Sequence, residues 1–106
     1  MNFAELGLAD PLLKAISDEG YDSPTPVQKK AIPPILLGRD VLAAAQTGTG
    51  KTASFTLPIL QLLMGYSNSS ASPARHPVRA LVLTPTRELA AQVENSVKTY
   101  GRYVGL

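Results

Sequence analysis

The sequence contains no cysteine and no tryptophan, and its single histidine, His76, stands between Arg75 and Pro77. The absence of cysteine excludes a disulfide framework and a thiolate metal site, and a lone histidine in a loop-like segment does not build a metal cluster. No apolar run approaches the length of about 20 residues that crosses a bilayer. Acidic residues within the first ten positions do not suit a signal peptide. We therefore expect a cytoplasmic protein with no membrane contact.

The chain has 106 residues, of which 44% are hydrophobic, so it has the size and composition of one small domain. Charge is distributed unevenly along it. Residues 1–22 carry one basic and five acidic side chains, whereas residues 75–106 carry five basic and two acidic ones. If a polyanion binds, the second half is the expected contact; ordinary solvated helix faces are the alternative.

The spacing of apolar residues, prolines and glycines predicts four helices and two strands. Helices are predicted over residues 10–19, 26–37 and 51–64 and from Thr86 onward, the second broken or kinked at Pro33-Pro34 and the third bent at Pro58. Buried strands are predicted at Val41–Ala45 and Arg79–Thr84, and the Ser- and Pro-rich residues 65–77 predict a surface loop. Strands that alternate with helices indicate an α/β fold with a parallel sheet flanked by helices.

The first predicted strand leads into the segment AQTGTGKT, residues 45–52, and a helix follows. This order is the setting of a phosphate-binding loop, in which backbone N–H groups surround phosphate oxygens. Lys51 would reach the β- and γ-phosphates, and the Thr52 hydroxyl would complete the shell of a Mg²⁺ ion; these two are the predicted catalytic residues. A kinase, a transporter ATPase, a GTPase and a helicase all remain possible on the loop alone.

The whole segment is predicted to bind the nucleotide through Ala45, Gln46, Thr47, Gly48, Thr49, Gly50, Lys51 and Thr52. Ala stands where the usual pattern begins with Gly, which is compatible with ordinary strand-like dihedrals at that position. The glycines that must bend are therefore Gly48 and Gly50. We expect Ala45→Gly to be tolerated and Gly50→Val to abolish nucleotide binding.

Two neighbouring segments narrow the choice: GYDSPTPVQ, residues 20–28, and PTRELAAQ, residues 85–92. With the phosphate loop between them, they resemble the N-terminal motifs of DEAD-box ATP-dependent RNA helicases, in particular the bacterial members. The resemblance implies a P-loop NTPase fold of the RecA-like type, here an N-terminal part with two core strands. Residues 1–38 would form the adenine-recognition segment, the Q motif, and residues 39–106 the first half of the RecA-like ATP-binding domain.

The resemblance also implies an adenine site. Phe3 lies seventeen residues before Gly20, where the family has an aromatic residue that stacks on the base, and Tyr21 and Gln28 belong to the segment that reads adenine. A Gln amide can donate to adenine N7 and accept from its N6 amino group, a pairing that the two acceptors of guanine cannot satisfy. ATP is therefore expected rather than GTP. The alternatives are a core role for Phe3 and a solvated helix position for Gln28.

The segment Pro85-Thr86-Arg87 resembles the family's first RNA-contact motif, at the junction of the second strand with a helix N-terminus. Such a position would bind an RNA backbone without reading its sequence. Arg87 as an ordinary solvated charge is the alternative.

The 106 residues contain no Asp-Glu-Ala-Asp segment, no Ser-Ala-Thr segment and no second domain with arginine fingers, all of which the family needs for turnover. We therefore expect the nucleotide-binding front half of an RNA helicase, inactive as an isolated piece. Because the two predicted strands are not neighbours in the family's sheet, we expect this piece to be marginally stable, to self-associate or to need a partner chain. A non-catalytic ATP- or RNA-binding module is the alternative. A different phosphate-loop ATPase, such as a DNA translocase, leaves the flanking motifs unexplained.

Overall fold

The computed structural model describes residues 2–43, 50–64 and 80–104. These residues form a short 3₁₀ helix, Ala4–Leu6, and four α-helices, α1 (Asp10–Asp18), α2 (Pro26–Leu36), α3 (Lys51–Leu63) and α4 (Arg87–Tyr100). The four predicted helices are therefore confirmed, with ends that differ by one residue. In the described ranges, no helix combines the length and the apolar character that a membrane span requires.

The helix α1 begins at Asp10, the predicted first residue. Ala9 has extended backbone and caps the helix, so Asp10 and Pro11 occupy the first two helical positions. Proline is tolerated there because the first N–H groups of a helix have no intrahelical partner. Gly20 follows the helix with a φ of 79°, a left-handed conformation that suits glycine.

The helix α2 continues through Pro33 and Pro34 to its end, so the predicted break is absent. The two prolines lie in the last turn, where only the carbonyls of Lys29 and Lys30 lose a helical donor. Both lysines are exposed, so water can reach this part of the backbone. The helix α3 likewise continues through the buried Pro58.

The core lies between the 3₁₀ helix and α1, α2 and α3. Its buried members are Phe3, Leu6, Leu8, Leu12, Ile16, Ile32, Ala53, Leu57 and Leu60. The amide of Gln61 on α3 ties the N-terminal segment to this core, since its Oε1 accepts from the Ala9 N–H at 2.6 Å and its Nε2 donates to the Gly7 carbonyl at 2.6 Å. The N-terminal segment that carries Phe3 is therefore held against α3.

No side chain of α4 is fully buried, and the helix is attached mainly at its C-terminal end, where the half-buried Tyr100 packs against the core. Just after the helix, Arg102 pairs with Glu19 at 2.9 Å and with Asp18 at 3.7 Å, and the Tyr103 hydroxyl also bonds Asp18. The Lys14 ammonium lies 4.3 Å from the centroid of the Tyr103 ring. Part of the basic second half thus contacts the acidic first half within the chain.

The two predicted strands are not confirmed. Residues 41–43 and 80–84, the described parts of those segments, are in no strand, and Leu42, Leu81 and Leu83 are exposed. A strand requires a ladder of hydrogen bonds to a neighbour, and an apolar run is buried only where other elements cover it. Residues 44–45 and 79, and the predicted loop at 65–77, lie outside the described residues.

Candidate functional site

Gln28 lies at the start of α2, where its side chain closes a capping box with Thr25. Its backbone N–H donates to Thr25 Oγ1 at 3.4 Å, and its Oε1 accepts from the Thr25 N–H at 2.9 Å. This reciprocal arrangement satisfies two backbone donors at the helix start. Only 6% of Gln28 is exposed, so the interpretation as a solvated helix residue is wrong.

The same amide reaches the end of the predicted phosphate loop. Gln28 Nε2 donates to the Gly50 carbonyl at 3.1 Å, and that carbonyl also accepts from the Ser54 N–H at 3.2 Å, a bond of the first turn of α3. One buried side chain therefore connects the N-terminus of α2 to the N-terminus of α3. The segment predicted to read the base and the segment predicted to bind phosphate are in direct contact.

Gly50 is required at this contact for two reasons. It caps α3 with a φ of 82°, in the left-handed region that glycine adopts without strain. In addition, a Cβ atom there would lie 2.3 Å from Gln28 Nε2 and 3.2 Å from its Cδ. The prediction that Gly50 is a residue that must bend is confirmed, and the close approach of Gln28 adds a steric reason.

A cavity of about 270 Å³ opens beside this contact. Three parts of the chain form its walls: the N-terminal region through α2, the start of α3, and the C-terminal half of α4. The lining residues are Phe3, Ile16, Tyr21, Ser23, Thr25 and Gln28, then Gly50, Thr52, Ala53 and Leu57, and finally Ser96 and Tyr100. Apolar and aromatic walls with a few polar groups are typical of sites for small ligands.

The structure brings five predicted site residues to this cavity, namely Phe3, Tyr21, Gln28, Gly50 and Thr52. Phe3 is also a buried member of the core, so its side chain serves both the core and the cavity wall. Lys51, the first residue of α3, is exposed and lies between two lining residues. The predicted phosphate-binding residues Ala45, Gln46, Thr47, Gly48 and Thr49 lie outside the described residues.

Sequence reasoning missed Ser96 and Tyr100 as cavity residues. Tyr100 fits the helical spacing of the apolar face of α4, which predicts only a packing role. In the structure burial, with smaller contributions from the nearby Tyr21 and Glu19, raises the pKa of its hydroxyl to about 12. Its hydroxyl is therefore protonated well above neutral pH.

The predicted RNA-contact residues Pro85, Thr86 and Arg87 lie at the opposite end of α4 and do not line the cavity. Thr86 caps the helix, since its Oγ1 accepts from the Leu89 N–H at 3.1 Å. Arg87 is exposed and, within the described part of the chain, makes no hydrogen bond or ion pair. A capped N-terminus and an exposed guanidinium form a positively polarised surface.

Residues 25–106 match the family described as DEAD/DEAH box helicase. The chain is 47% identical over 102 residues to the DEAD-box ATP-dependent RNA helicase RhpA of Helicobacter pylori, and the aligned region covers 96% of this chain and 19% of that protein. It is also 47% identical over 104 residues to the ATP-dependent RNA helicase SrmB of Escherichia coli, where the aligned region covers 98% of this chain and 22% of the relative. The chain spans about a fifth of the length of these two relatives.

Solved structures give the same result. The RNA helicase Prp28 from Chaetomium thermophilum, bound to ADP, is similar with a TM-score of 0.81 at 41% identity, over 96% of this chain and 24% of that one. Dbp5 from S. cerevisiae, bound to RNA and ADP BeF3, is similar with a TM-score of 0.81 at 36% identity, over 98% and 25%. These similarities confirm the RecA-like P-loop NTPase fold, and with the family match they show that the chain belongs to the DEAD/DEAH box helicases.

Proposed function

We propose that this chain is the nucleotide-binding front part of an ATP-dependent RNA helicase. It binds the adenine of ATP in the cavity, holds the phosphates with Mg²⁺ at the start of α3, and contacts an RNA backbone at the start of α4. The observation that carries the proposal is the hydrogen bond from Gln28 to Gly50, which joins the base-reading segment to the phosphate-binding turn.

Adenine recognition rests on the remaining hydrogen-bonding capacity of Gln28. Its Oε1 accepts one bond from Thr25 and its Nε2 donates one to Gly50. An amide oxygen has a second lone pair and an amide nitrogen a second hydrogen, so one acceptor and one donor are left for a ligand. That pair matches the N6 amino group and N7 of adenine, while Phe3 and Tyr21 provide aromatic surface for the base.

Phosphate binding rests on the N-terminus of α3. The first N–H groups of a helix have no intrahelical partner and carry partial positive charge, which favours an anion. Lys51 adds a full positive charge at the first position. Thr52, half-buried and on the cavity wall, presents the hydroxyl that would hold Mg²⁺. When bound, Mg²⁺ neutralises charge that develops on the phosphates during transfer.

RNA binding is assigned to Thr86 and Arg87. A guanidinium and a helix N-terminus bind phosphate oxygens without reading bases, so this contact would be independent of RNA sequence. Base contacts that would select a particular RNA are not assigned to any residue.

We further propose that residues 1–106 alone bind ATP without turning it over. Phosphoryl transfer requires an oriented water and stabilisation of the transition-state charge on both sides of the γ-phosphate. Lys51 and Thr52 would stabilise charge on one side of the γ-phosphate. The Asp-Glu-Ala-Asp segment with which the family binds Mg²⁺ and orients the water does not occur in these residues.

The proposal is tested by calorimetric titration of the chain with ATP in the presence of Mg²⁺, and by RNA-stimulated release of phosphate. We expect binding that Lys51→Ala abolishes and that Lys30→Ala, at an exposed position of α2 away from the cavity, leaves unchanged. Binding unaffected by Lys51→Ala would contradict the proposed site. Phosphate release well above that of Lys51→Ala would contradict the proposed lack of turnover.

A further inference from the structure

The helix α4 forms one wall of the cavity, although none of its side chains is fully buried. Ser96 and Tyr100 provide this wall from the C-terminal half of the helix. The helix ends at Gly101, which lies close to α3, since an added Cβ atom there would be 3.5 Å from Leu60 Cδ2. The position of the wall therefore depends on what holds the C-terminal end of α4.

Arg102, just after α4, binds groups on two helices with one guanidinium. Its Nε donates to the Thr99 carbonyl of α4 at 2.8 Å, and its Nη2 donates to Glu19 Oε2 at 2.9 Å. Its Nη1 lies 3.7 Å from Asp18 Oδ2. A planar guanidinium presents its donors in a rigid fork, so it fixes the direction as well as the distance of the groups that it binds. Arg102 therefore joins the last turn of α4 to the end of α1.

Both ends of this connection are close in sequence to the cavity. Tyr100 precedes Arg102 by two residues, and Tyr21, in the Q-motif segment, follows Glu19 by two residues. Both tyrosines line the cavity, whereas Arg102 does not. Arg102 is therefore placed to set the separation of two cavity walls without contacting a ligand between them.

We propose that Arg102 is a positioning residue of the nucleotide site, which holds the α4 wall at the distance from the Q-motif segment that fits a base. The inference rests on the proposed function, because it takes the ligand to be ATP. Without the connection, the end of α4 can move away from α1, and Tyr100 loses its fixed distance from Tyr21. The base then loses part of its packing, whereas the phosphates, bound at the start of α3, keep their contacts.

Two other roles for Arg102 make different predictions. If Arg102 only stabilised the fold, its loss would affect every ligand of the site alike. If it only attracted anions by its charge, its loss would weaken inorganic tripolyphosphate, which offers the same anion without a base, as much as ATP. A positioning role at the base affects ATP and leaves tripolyphosphate unchanged.

The experiment compares Arg102→Ala with Lys98→Ala in calorimetric titrations with ATP and with tripolyphosphate, both with Mg²⁺. Each variant removes one positive charge near the end of α4, but Lys98 pairs with Glu94 of its own helix and joins no second helix through that pair. Arg102→Ala is expected to weaken ATP binding about 3- to 5-fold, the upper range for a partly exposed ion pair, and to leave tripolyphosphate binding unchanged. Lys98→Ala is expected to change neither.

A double variant, Asp18→Ala with Glu19→Ala, removes the same connection from the α1 side. Because it removes two negative charges, a purely electrostatic role predicts that both anions bind more tightly. A positioning role predicts the same selective loss of ATP affinity as in Arg102→Ala, and no further loss when Arg102→Ala is added to the double variant.

Unchanged ATP affinity in Arg102→Ala, or an equal loss for ATP and tripolyphosphate, would overturn the inference while the unmodified chain still binds ATP. Tighter ATP binding by the double variant would overturn it as well. Failure of the unmodified chain to bind ATP would overturn the proposed function and the inference with it.

Discussion

Gln28 donates a hydrogen bond from its buried amide to the carbonyl of Gly50, 22 residues later in the sequence, at 3.1 Å. The same amide caps α2 through Thr25. A change at either residue therefore alters both the helix that carries the base-reading segment and the turn that precedes Lys51.

The first prediction concerns the steric limit at Gly50. Gly50→Ala should destabilise the fold more than Gly20→Ala, although both glycines have positive φ, at 82° and 79°. A Cβ atom added at Gly20 would enter open space, so its substitution should cost only the left-handed strain of about 1–2 kcal/mol. At Gly50 the added Cβ would also displace Gln28, leaving buried polar groups unpaired at a further cost of about 1–3 kcal/mol.

Urea unfolding and ATP titration of the two variants provide the measurement. Gly50→Ala should also lose ATP affinity, and Gly50→Val should abolish binding, whereas Gly20→Ala should bind ATP normally. Equal effects of the two alanine substitutions would contradict the contact between Gln28 and Gly50.

The second prediction concerns the choice of base. Gln28→Glu keeps the size of the side chain but removes the N–H donors to Gly50 and to adenine N7. ATP affinity should fall at least about 10-fold, because the carboxylate of the glutamate cannot donate a hydrogen bond to the Gly50 carbonyl or to adenine N7 and would repel both. Gln92→Glu, at an exposed position of α4, is the matched control and should bind ATP like the unmodified chain. Unchanged ATP affinity in Gln28→Glu would exclude the assignment of Gln28 as the adenine reader.

Part of the fold and of the site could be predicted from local sequence, and part depends on how the helices pack. Capping residues act locally, so Thr25 and Thr86 were sufficient to predict where α2 and α4 begin. The contact of Gln28 with Gly50 depends on how α2 and α3 pack, and no local pattern encodes it. The position of Tyr100 on the cavity wall could not be predicted either, because its helical spacing indicates only a packing role.

The predicted strands illustrate a different limit. An apolar run such as residues 80–84 has a strong tendency to be buried, but burial and strand pairing need neighbours that the run itself does not specify. Leu81 and Leu83 are 79% and 85% exposed, so the predicted burial of this run is not observed among the described residues.

The third prediction concerns RNA. Arg87→Ala should weaken binding of a single-stranded RNA uniformly across sequences and reduce the slope of log affinity against log salt by about 1, the effect of one lost phosphate contact. Fluorescence anisotropy at several salt concentrations measures both. Lys98→Ala removes the same charge from the other end of α4, where Lys98 pairs with Glu94 at 3.1 Å, and should change the slope little. Equal slopes for Arg87→Ala and the unmodified chain would contradict the RNA assignment.

The fourth prediction concerns alkaline stability. Burial raises the pKa of Tyr100 from 10.0 to about 12, so the folded state holds this proton more tightly than the unfolded state does. The resulting stabilisation is complete below pH 10 and is lost as the pH rises from about 10 through about 12. Urea unfolding at about pH 9, 10 and 11 should therefore show a steeper decline for the unmodified chain than for Tyr100→Phe. Parallel declines would contradict the burial of this hydroxyl.

The crystal structure of the chain with Mg²⁺ and a non-hydrolysable ATP analogue tests the proposed nucleotide site most directly. We expect the adenine in the cavity lined by Phe3, Tyr21 and Tyr100, with its N6 at a hydrogen-bonding distance of about 2.7–3.2 Å from Gln28 Oε1. The phosphates should lie at the N-terminus of α3, next to Lys51 and Thr52. An analogue whose phosphates lie there while its base lies outside the cavity, away from Gln28, would contradict the proposed adenine site.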